Sequence, residues 1–367
     1  AKIESEIYEL VGETFNLNSP KQLGEVIFDK LQLTAKGLRK TAGGARSTKE
    51  SELLKLKGVH PIIDQILDYR ELQKLLSTYI DNLPAMLGAD GALHSTLNQA
   101  GTTTGRMSSS NPNLQNIPAR EGLGMAIRQA FIARPGFKFI AFDYSQIELR
   151  VLAALSQDAD LIKIFKEDKD IHSSVASRVF GVPEAEVTKE MRRKAKVINF
   201  GIIYGMGVNA LKTNLGTTRD EAQKFYDGYF ATFPTIRTYF DGVVAEAKKT
   251  GYTETLFGRL RYLEALKSYL PQIRAGAERM AMNAPLQGTA ADILKMAMIK
   301  ADADLKKAEL DDKVFLLLQI HDELVFEVKD GFVERAEKII KEAMEEAVEF
   351  PVPIKVSFKQ GENWGAL

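Results

Sequence analysis

The segment Val314–Val328, VFLLLQIHDELVFEV, sets His321, Asp322 and Glu323 between two strongly apolar runs. The runs read as buried strands, and a buried hairpin gains nothing from two adjacent carboxylates at its turn. Unpaired, the carboxylates repel each other and take up protons. A hard divalent cation such as magnesium removes that conflict, because it takes oxygen ligands and tolerates concentrated negative charge. A second half of such a site lies upstream, where the apolar run Phe137–Phe142 ends in Asp143-Tyr144-Ser145-Gln146. A helical pattern follows, with Ile147, Val151, Leu152 and Leu155 on one side. Either segment alone also reads as a helix cap or a polar turn. Together they match the requirement of two metals bridged by two carboxylates, which activate an attacking oxygen and stabilise a leaving one in phosphoryl or nucleotidyl transfer.

The third chemical element is Arg192–Tyr204, RRKAKVINFGIIY, in which Arg192, Lys196, Phe200 and Tyr204 recur every fourth residue. On a helix each step advances about 40° around the axis and about 6 Å along it, so the four form one slowly turning stripe. Two cations followed by two aromatics suit a nucleoside triphosphate, with phosphates at the first pair and sugar and base at the second. An ordinary amphipathic helix with a solvated basic end reads the same way. Arg279, Asn283 and Gln287 repeat the spacing. They put hydrogen-bonding side chains on one helix face that Pro285 is expected to distort.

The elements that must hold these groups follow from pattern. Residues 1–85 read as largely helical, including the periodic run Ile62–Leu76; 86–156 as loop-rich and then the strand bearing Asp143; 157–275 as mostly helical; and 276–367 as a long helix followed by the hairpin. A length of 367 residues with 45% hydrophobic content supports two or three domains. The chain lacks cysteine, which excludes disulfides and thiolate metal sites and suits an intracellular protein. No apolar run is long enough to span a membrane, so no membrane partner is expected. Forty-nine basic and 49 acidic residues give a formal charge of zero, unusual for a nucleic-acid binder. Local charge offsets this: Lys36–Lys49 holds Lys36, Arg39, Lys40, Arg46 and Lys49 among glycines with no acid, and reads as a mobile basic tip or a solvated loop. Acids gather instead at Glu334–Glu349, an exposed helical pattern.

The strings DYSQIELR (Asp143–Arg150), RRKAKVINFGIIYG (Arg192–Gly205) and QIHDELVFEV (Gln319–Val328) resemble, in order and spacing, the three polymerase motifs of family A DNA polymerases, the bacterial DNA polymerase I type. TGRMSSSNPNLQNIPAR (Thr104–Arg120), KDIHSSVASRVFG (Lys169–Gly181), ERMAMNAPLQGTAADI (Glu278–Ile293), NSPKQLGEVIFDKLQL (Asn18–Leu33) and GENW (Gly361–Trp364) extend the likeness over nearly the whole chain. The resemblance implies an α+β right-hand polymerase fold with an antiparallel palm sheet, helical fingers and a partial helical thumb. It divides the chain into thumb 1–85 (shortened at its start), palm 86–156, fingers 157–275 and palm again 276–367. The sequence begins without methionine, inside the thumb-like stretch. It is therefore read as a polymerase fragment without the exonuclease-like domain that precedes the thumb in the bacterial family, so no proofreading is expected of these residues.

The resemblance also implies roles. Asp143 and Asp322, with the Tyr144 carbonyl, hold two magnesium ions, for which manganese can substitute; Glu323 lies beside them. Arg192, Lys196 and His172 bind the triphosphate, Lys196 gives a proton to pyrophosphate, and Phe200, Tyr204 and Gln146 complete the nucleotide site. Outside the resemblance, His172 also reads as a helix-start histidine without a ligand. Glu148 fills the space a ribose 2′-hydroxyl needs and so selects deoxynucleotides. As plain sequence it also reads as a solvent-facing first-turn acid. Phe200, lacking the hydroxyl of the tyrosine found in some family members, disfavours dideoxynucleotides. Arg106, Asn113, Gln115, Asn116, Arg120, Arg279, Asn283, Gln287 and His321 contact primer and template, the trio on the long helix testing minor-groove acceptors common to every correct pair. Loop structuring is the alternative for the group from Arg106 to Arg120. The expected partners are primer–template DNA and dNTPs, the expected state a monomer, and the expected location the cytoplasm with chromosomal DNA, or an organelle. Gly207 and Ala210 depart from the serine and glycine of many relatives and bear on finger hinging, and Glu264–Arg274 also departs from the bacterial pattern.

Overall fold

The computed structural model of the chain describes residues 1–118 and 122–367; Arg120, assigned above to DNA contact, lies outside the described residues. The described residues form two compact units, one mainly Ala1–His94 and the other mainly Arg128–Leu367 with residues 95–118.

The first unit is helical: α1 (Lys2–Val11), α2 (Pro20–Gly24) running on as a π-helical stretch Glu25–Lys30, α3 (Glu50–Leu53) and α4 (Pro61–Leu75). Ser19 and His60 cap α2 and α4, each with proline at the first helical position, where a missing N–H costs nothing. Ile7, Leu23, Ile27, Leu53, Ile62 and Ile66 make its core. The basic stretch is exposed at Lys36, Arg39, Lys40 and Lys49, and one of its cations is tied to the helices. Lys40 pairs with Arg46 across a turn, Arg46 bonds Asp29 and lies over the Phe28 ring, and Ser47 and Thr48 are buried.

The second unit opens with the small ladder of β1 (Thr96–Asn98) and β2 (Ser108–Ser110); α5 (Leu123–Gln129) belongs to the first unit as far as Ile127, and β3 (Phe137–Tyr144) and α6 (Ile147–Ser156) continue the second. Six helices follow: α7 (Ala159–Lys166), α8 (Ile171–Phe180), α9 (Lys189–Ile203), α10 (Val208–Leu215), α11 (Arg219–Thr232) and α12 (Pro234–Thr250). Asp158, Asp170 and Thr188 cap α7, α8 and α9, and Thr218 with Glu221 forms a capping box on α11. A hairpin, β4 (Tyr252–Glu254) and β5 (Leu260–Tyr262), interrupts the helical region and has no counterpart in the sequence reading. The chain then runs through α13 (Pro271–Lys307), β6 (Val314–Ile320), β7 (Glu323–Lys329), α14 (Val333–Glu345) and β8 (Val356–Gly361). Helix α13 continues through Pro285 without a break. No helix among the described residues is long and apolar enough to cross a membrane.

The main sheet is antiparallel, in the order β6-β7-β3-β8. Its two faces follow from the period of two along each strand. Ile140, Phe142 and Tyr144 stand opposite Phe326, Leu324 and neighbouring core residues; this face is buried, with Ile293, Leu294, Ile340 and Met344 in the same cluster. The other face carries Phe139, Ala141 and Asp143 of β3 opposite Glu327, Val325 and Glu323 of β7 and Gly361, Lys359 and Ser357 of β8. One alternation therefore supplies both the core and a polar floor. The expectation of two buried strands in the hairpin holds for β7 but not β6, where Leu316 and Leu317 are 40% and 39% exposed. β6 is the edge strand, with one neighbour and a register shift between Leu316 and Leu318, so its side chains lack full cover. The acidic helix likewise differs from its reading: it stops at Glu345 and packs Ala336, Ile340, Ala343 and Met344 inward.

Candidate active site

The floor of the site is set where β3 ends and the β6–β7 turn begins. Asp143 stands directly opposite Glu323, the first residue of β7, and the turn proper is His321-Asp322. His321 takes a left-handed conformation, φ 55°, and its carbonyl accepts from Gln319 Nε2 at 2.8 Å. The Tyr144 amide donates to the Asp322 carbonyl at 3.2 Å, which ties the turn to the end of β3. The Tyr144 ring points the other way, its hydroxyl donating to Met344 O at 2.8 Å in the core.

The electrostatics record the crowding. Asp143 reaches solvent yet is hemmed by protein, and its carboxyl is pushed up to about 7, first by burial and then by Asp322 and Glu323, with Lys359 opposing. Asp322 is also raised, by burial against the pull of Arg106 and His321, and Glu323 by burial against Arg128 and Lys359. Among the described residues no three His, Cys, Asp or Glu side chains converge to enclose a metal ion. The donor set is instead two neighbouring carboxylates with a strand-end carbonyl beside them. That suits an open magnesium site, since this ion keeps several waters and shares substrate phosphates.

Glu148, in the first turn of α6, is buried rather than solvent-facing. Its Oε1 accepts from Arg106 Nη2 at 2.7 Å. Oε2 has no partner in normal hydrogen-bond geometry, although the Tyr204 hydroxyl and the Gln287 amide stand close enough to favour the charged form. Burial nevertheless raises the carboxyl overall. Glu148 thus joins the β2 segment, α6, the end of α9 and α13. Gln146, just before α6, is exposed with φ 49°.

Helix α9 holds its stripe as spaced. Ala195, Ile198, Asn199 and Ile202 are buried, while Arg192, Lys196 and Tyr204 are exposed and Phe200 half-buried. The two cations differ in setting. Arg192 is held by Asp170, Nε to Oδ1 at 3.2 Å and Nη2 to Oδ2 at 2.7 Å. Lys196 makes no hydrogen bond or ion pair among the described residues. His172 is buried, with Nδ1 bonded to Asn199 Nδ2 at 3.0 Å and its ring 5.9 Å from that of Phe200. Burial first, then the nearby cations, lower it to about 4, so the ring is neutral at physiological pH. Sequence reasoning missed Asp170; its helix-capping pattern hides the second role.

The residues assigned to primer and template fall into two groups. On α13, Arg279 is exposed, and Asn283 and Gln287 are part-buried on the same face. Asn283 donates to Ile203 O at 3.3 Å, and Arg279 lies against Gly205, whose φ of 64° a side chain would strain. In the β2 segment, Asn113 caps the turn through Gln115 N, and the Gln115 amide donates to Gln319 O at 2.9 Å. These two, like Arg106, already serve the protein. Asn116 and His321 are exposed.

The sequence pattern of DNA polymerase family A matches residues 1–366. The chain belongs to that family. It is 48% identical over 364 residues to the thermostable DNA polymerase I of Thermus filiformis, covering 99% of this chain and 43% of that protein. Against DNA polymerase I of Geobacillus stearothermophilus the identity is 49%, covering 99% of this chain and 41% of the relative. The fold is that of a family A polymerase: the POL domain of Pol1 from M. smegmatis, solved in complex with DNA primer-template and dNTP, superposes with a TM-score of 0.92 at 43% identity. That match covers all of this chain and 64% of the other. The chain thus spans about two fifths of the length of these DNA polymerase I relatives.

Proposed function

We propose that this family A chain carries template-directed DNA synthesis, adding dNTPs to a primer 3′-hydroxyl with release of pyrophosphate. The observation that carries the reading is the junction at Glu148, where Arg106, Tyr204 and Gln287 meet beside the Asp143–Asp322 pair. A phosphate-binding helix, a sugar gate and a paired-carboxylate floor meet there, as a template copier needs. Residues 1–85 serve as thumb, 86–156 and 276–367 as palm and 157–275 as fingers. The partners are primer–template DNA and dNTPs, the chain acts as a monomer, and these residues supply no proofreading.

Asp143 and Asp322, with the Tyr144 carbonyl and Glu323 alongside, would hold two magnesium ions, or manganese in their place. When bound, the ions supply charge neutralisation and a more acidic 3′-hydroxyl. The chain's own residues do the remaining work. Arg192 and Lys196 receive the triphosphate, Lys196 being free to give a proton to the departing pyrophosphate. Neutral His172 offers at most its Nε2–H. Phe200 and Tyr204 back the sugar and base, with Gln146 at the rim, and Glu148 closes the space beside C2′. Arg279, Asn283 and Gln287 face minor-groove acceptors, and exposed Asn116 and His321 contact primer or template. The decisive experiment is primer extension with magnesium and dNTPs, run beside rNTPs. Asp143→Ala and Asp322→Ala abolish extension while primer–template binding persists, and substantial synthesis by either variant refutes the assignment.

A further inference from the structure

We propose that Asp170 is a positioning residue for the incoming nucleotide, holding the Arg192 guanidinium in the orientation in which it receives the triphosphate. The inference rests on the reading of Arg192 as a phosphate ligand. The carboxylate takes one edge of the guanidinium, Nε and Nη2, and leaves the two Nη1 hydrogens and the second Nη2 hydrogen for another anion. Asp170 is itself fixed, because as the cap of α8 its Oδ1 accepts from Ser173 N at 2.7 Å. Helices α8 and α9 pack together, with His172 bonded to Asn199 behind the pair. The guanidinium therefore hangs from a rigid point, and much of the rotamer freedom it must lose on binding phosphate is already lost. Lys196, one turn along α9, has no such anchor. The two cations divide the work: Arg192 is preset for ground-state binding, and Lys196 stays mobile for the proton-transfer step.

Stability contributes little here, since both side chains are more than two-fifths exposed and such pairs are weak. The signature of positioning is therefore kinetic. Asp170→Asn keeps a side chain that caps a helix as well as aspartate does, but cannot form the charged two-point fork. Single-nucleotide extension across a dNTP series is expected to show KM rising roughly three- to ten-fold with kcat within about two-fold. Arg192→Ala raises KM further, and Asp170→Asn in the Arg192→Ala background adds nothing, because the residue it positions is gone. Melting curves of each variant report whether the fold is kept. If Arg192→Ala raises KM and Asp170→Asn does not, this inference alone fails. An additive double variant, or a KM that falls because Asp170 competes with phosphate, also overturns it. If Arg192→Ala leaves KM unchanged, the phosphate-ligand reading fails and takes this one with it.

Discussion

Replacing Asp143 by asparagine should make the metal-free protein more stable at alkaline pH, although it removes the residue most needed for activity. In the folded chain the Asp143 carboxyl is lifted from an ordinary 3.8 to about 7 by burial and by Asp322 and Glu323. A folded state that holds its proton more tightly than the unfolded one loses stability as pH rises through that interval, with the loss complete above about 7. At 1.36 kcal/mol per pH unit the interval corresponds to an upper bound of about 4 kcal/mol. Solvent reaches this carboxyl, so screening reduces the figure to roughly 1–2 kcal/mol. For a unit of this size that is a rise of roughly 2–5 °C in Tm for Asp143→Asn at pH 8 in a chelating buffer. At pH 5 about a third of the gain remains, and it vanishes only well below pH 3.8, where the wild-type carboxyl is protonated in the unfolded as well as the folded state. Excess magnesium should then raise the wild-type Tm and leave the variant nearly unmoved. Scanning calorimetry at three pH values, with and without the ion, reads all of this. A variant that melts at or below wild type at pH 8, or whose gain is equal at pH 5, would refute the raised Asp143 carboxyl on which this prediction stands.

The other expectations concern the walls of the site. Glu148→Ala should raise ribonucleotide use relative to deoxynucleotide use in a competition assay, and should slow normal synthesis by leaving Arg106 without its 2.7 Å partner; an unchanged sugar preference would remove the gate. Phe200→Tyr should leave dNTP incorporation nearly intact but increase chain termination by ddNTPs, because a hydroxyl on this half-buried ring can replace the hydrogen bond lost with the 3′-OH. Gly205→Ala should lower both Tm and extension: the backbone sits at φ 64° and the new methyl would come within 2.8 Å of Met282 and 3.0 Å of Arg279. Its cost is roughly 1–2 kcal/mol, and an unaffected Tm would show that Arg279 and Met282 move aside freely.

What was legible in the sequence was what local spacing encodes. The carboxylates between apolar runs gave the β3 end and the β6–β7 turn, and the four-residue step gave the stripe of α9, because a side chain's direction along a single element is fixed by its period. The division of the palm face into core and floor is the same rule applied across three strands. What escaped was the second partner of each polar side chain. Arg106 reaches Glu148 across 42 residues and Gln115 reaches Gln319 across 204, and nothing local in either string announces such pairs. The resemblance assigns both to DNA contact, and the fold gives each a protein acceptor besides. Leu316 and Leu317 were counted as core because a sequence does not state which strand ends the sheet. Pro285 does not end α13: the residue is buried, and tertiary packing carries the helix past one lost backbone bond.

These long-range pairs also constrain how the site works as a unit. Glu148 is shared by Arg106, Tyr204 and Gln287, so the proposed sugar gate cannot move without disturbing both the end of α9 and the Gln287 face of α13. Asn283 repeats the link one turn earlier by bonding Ile203 O, and Arg279 repeats it again against Gly205. Under the proposed reading, two of the three side chains offered to the minor groove, Arg279 and Asn283, also brace the C-terminal end of α9, and the third, Gln287, reaches it through Glu148. On that reading, a mispaired terminus that displaces Gln287 would be felt directly at Glu148, and one that displaces Asn283 or Arg279 would be felt at Ile203 or Gly205, on either side of Tyr204. If the proposed roles hold, checking the last base pair and admitting the next nucleotide are coupled through one seam of side chains between α13 and the end of α9.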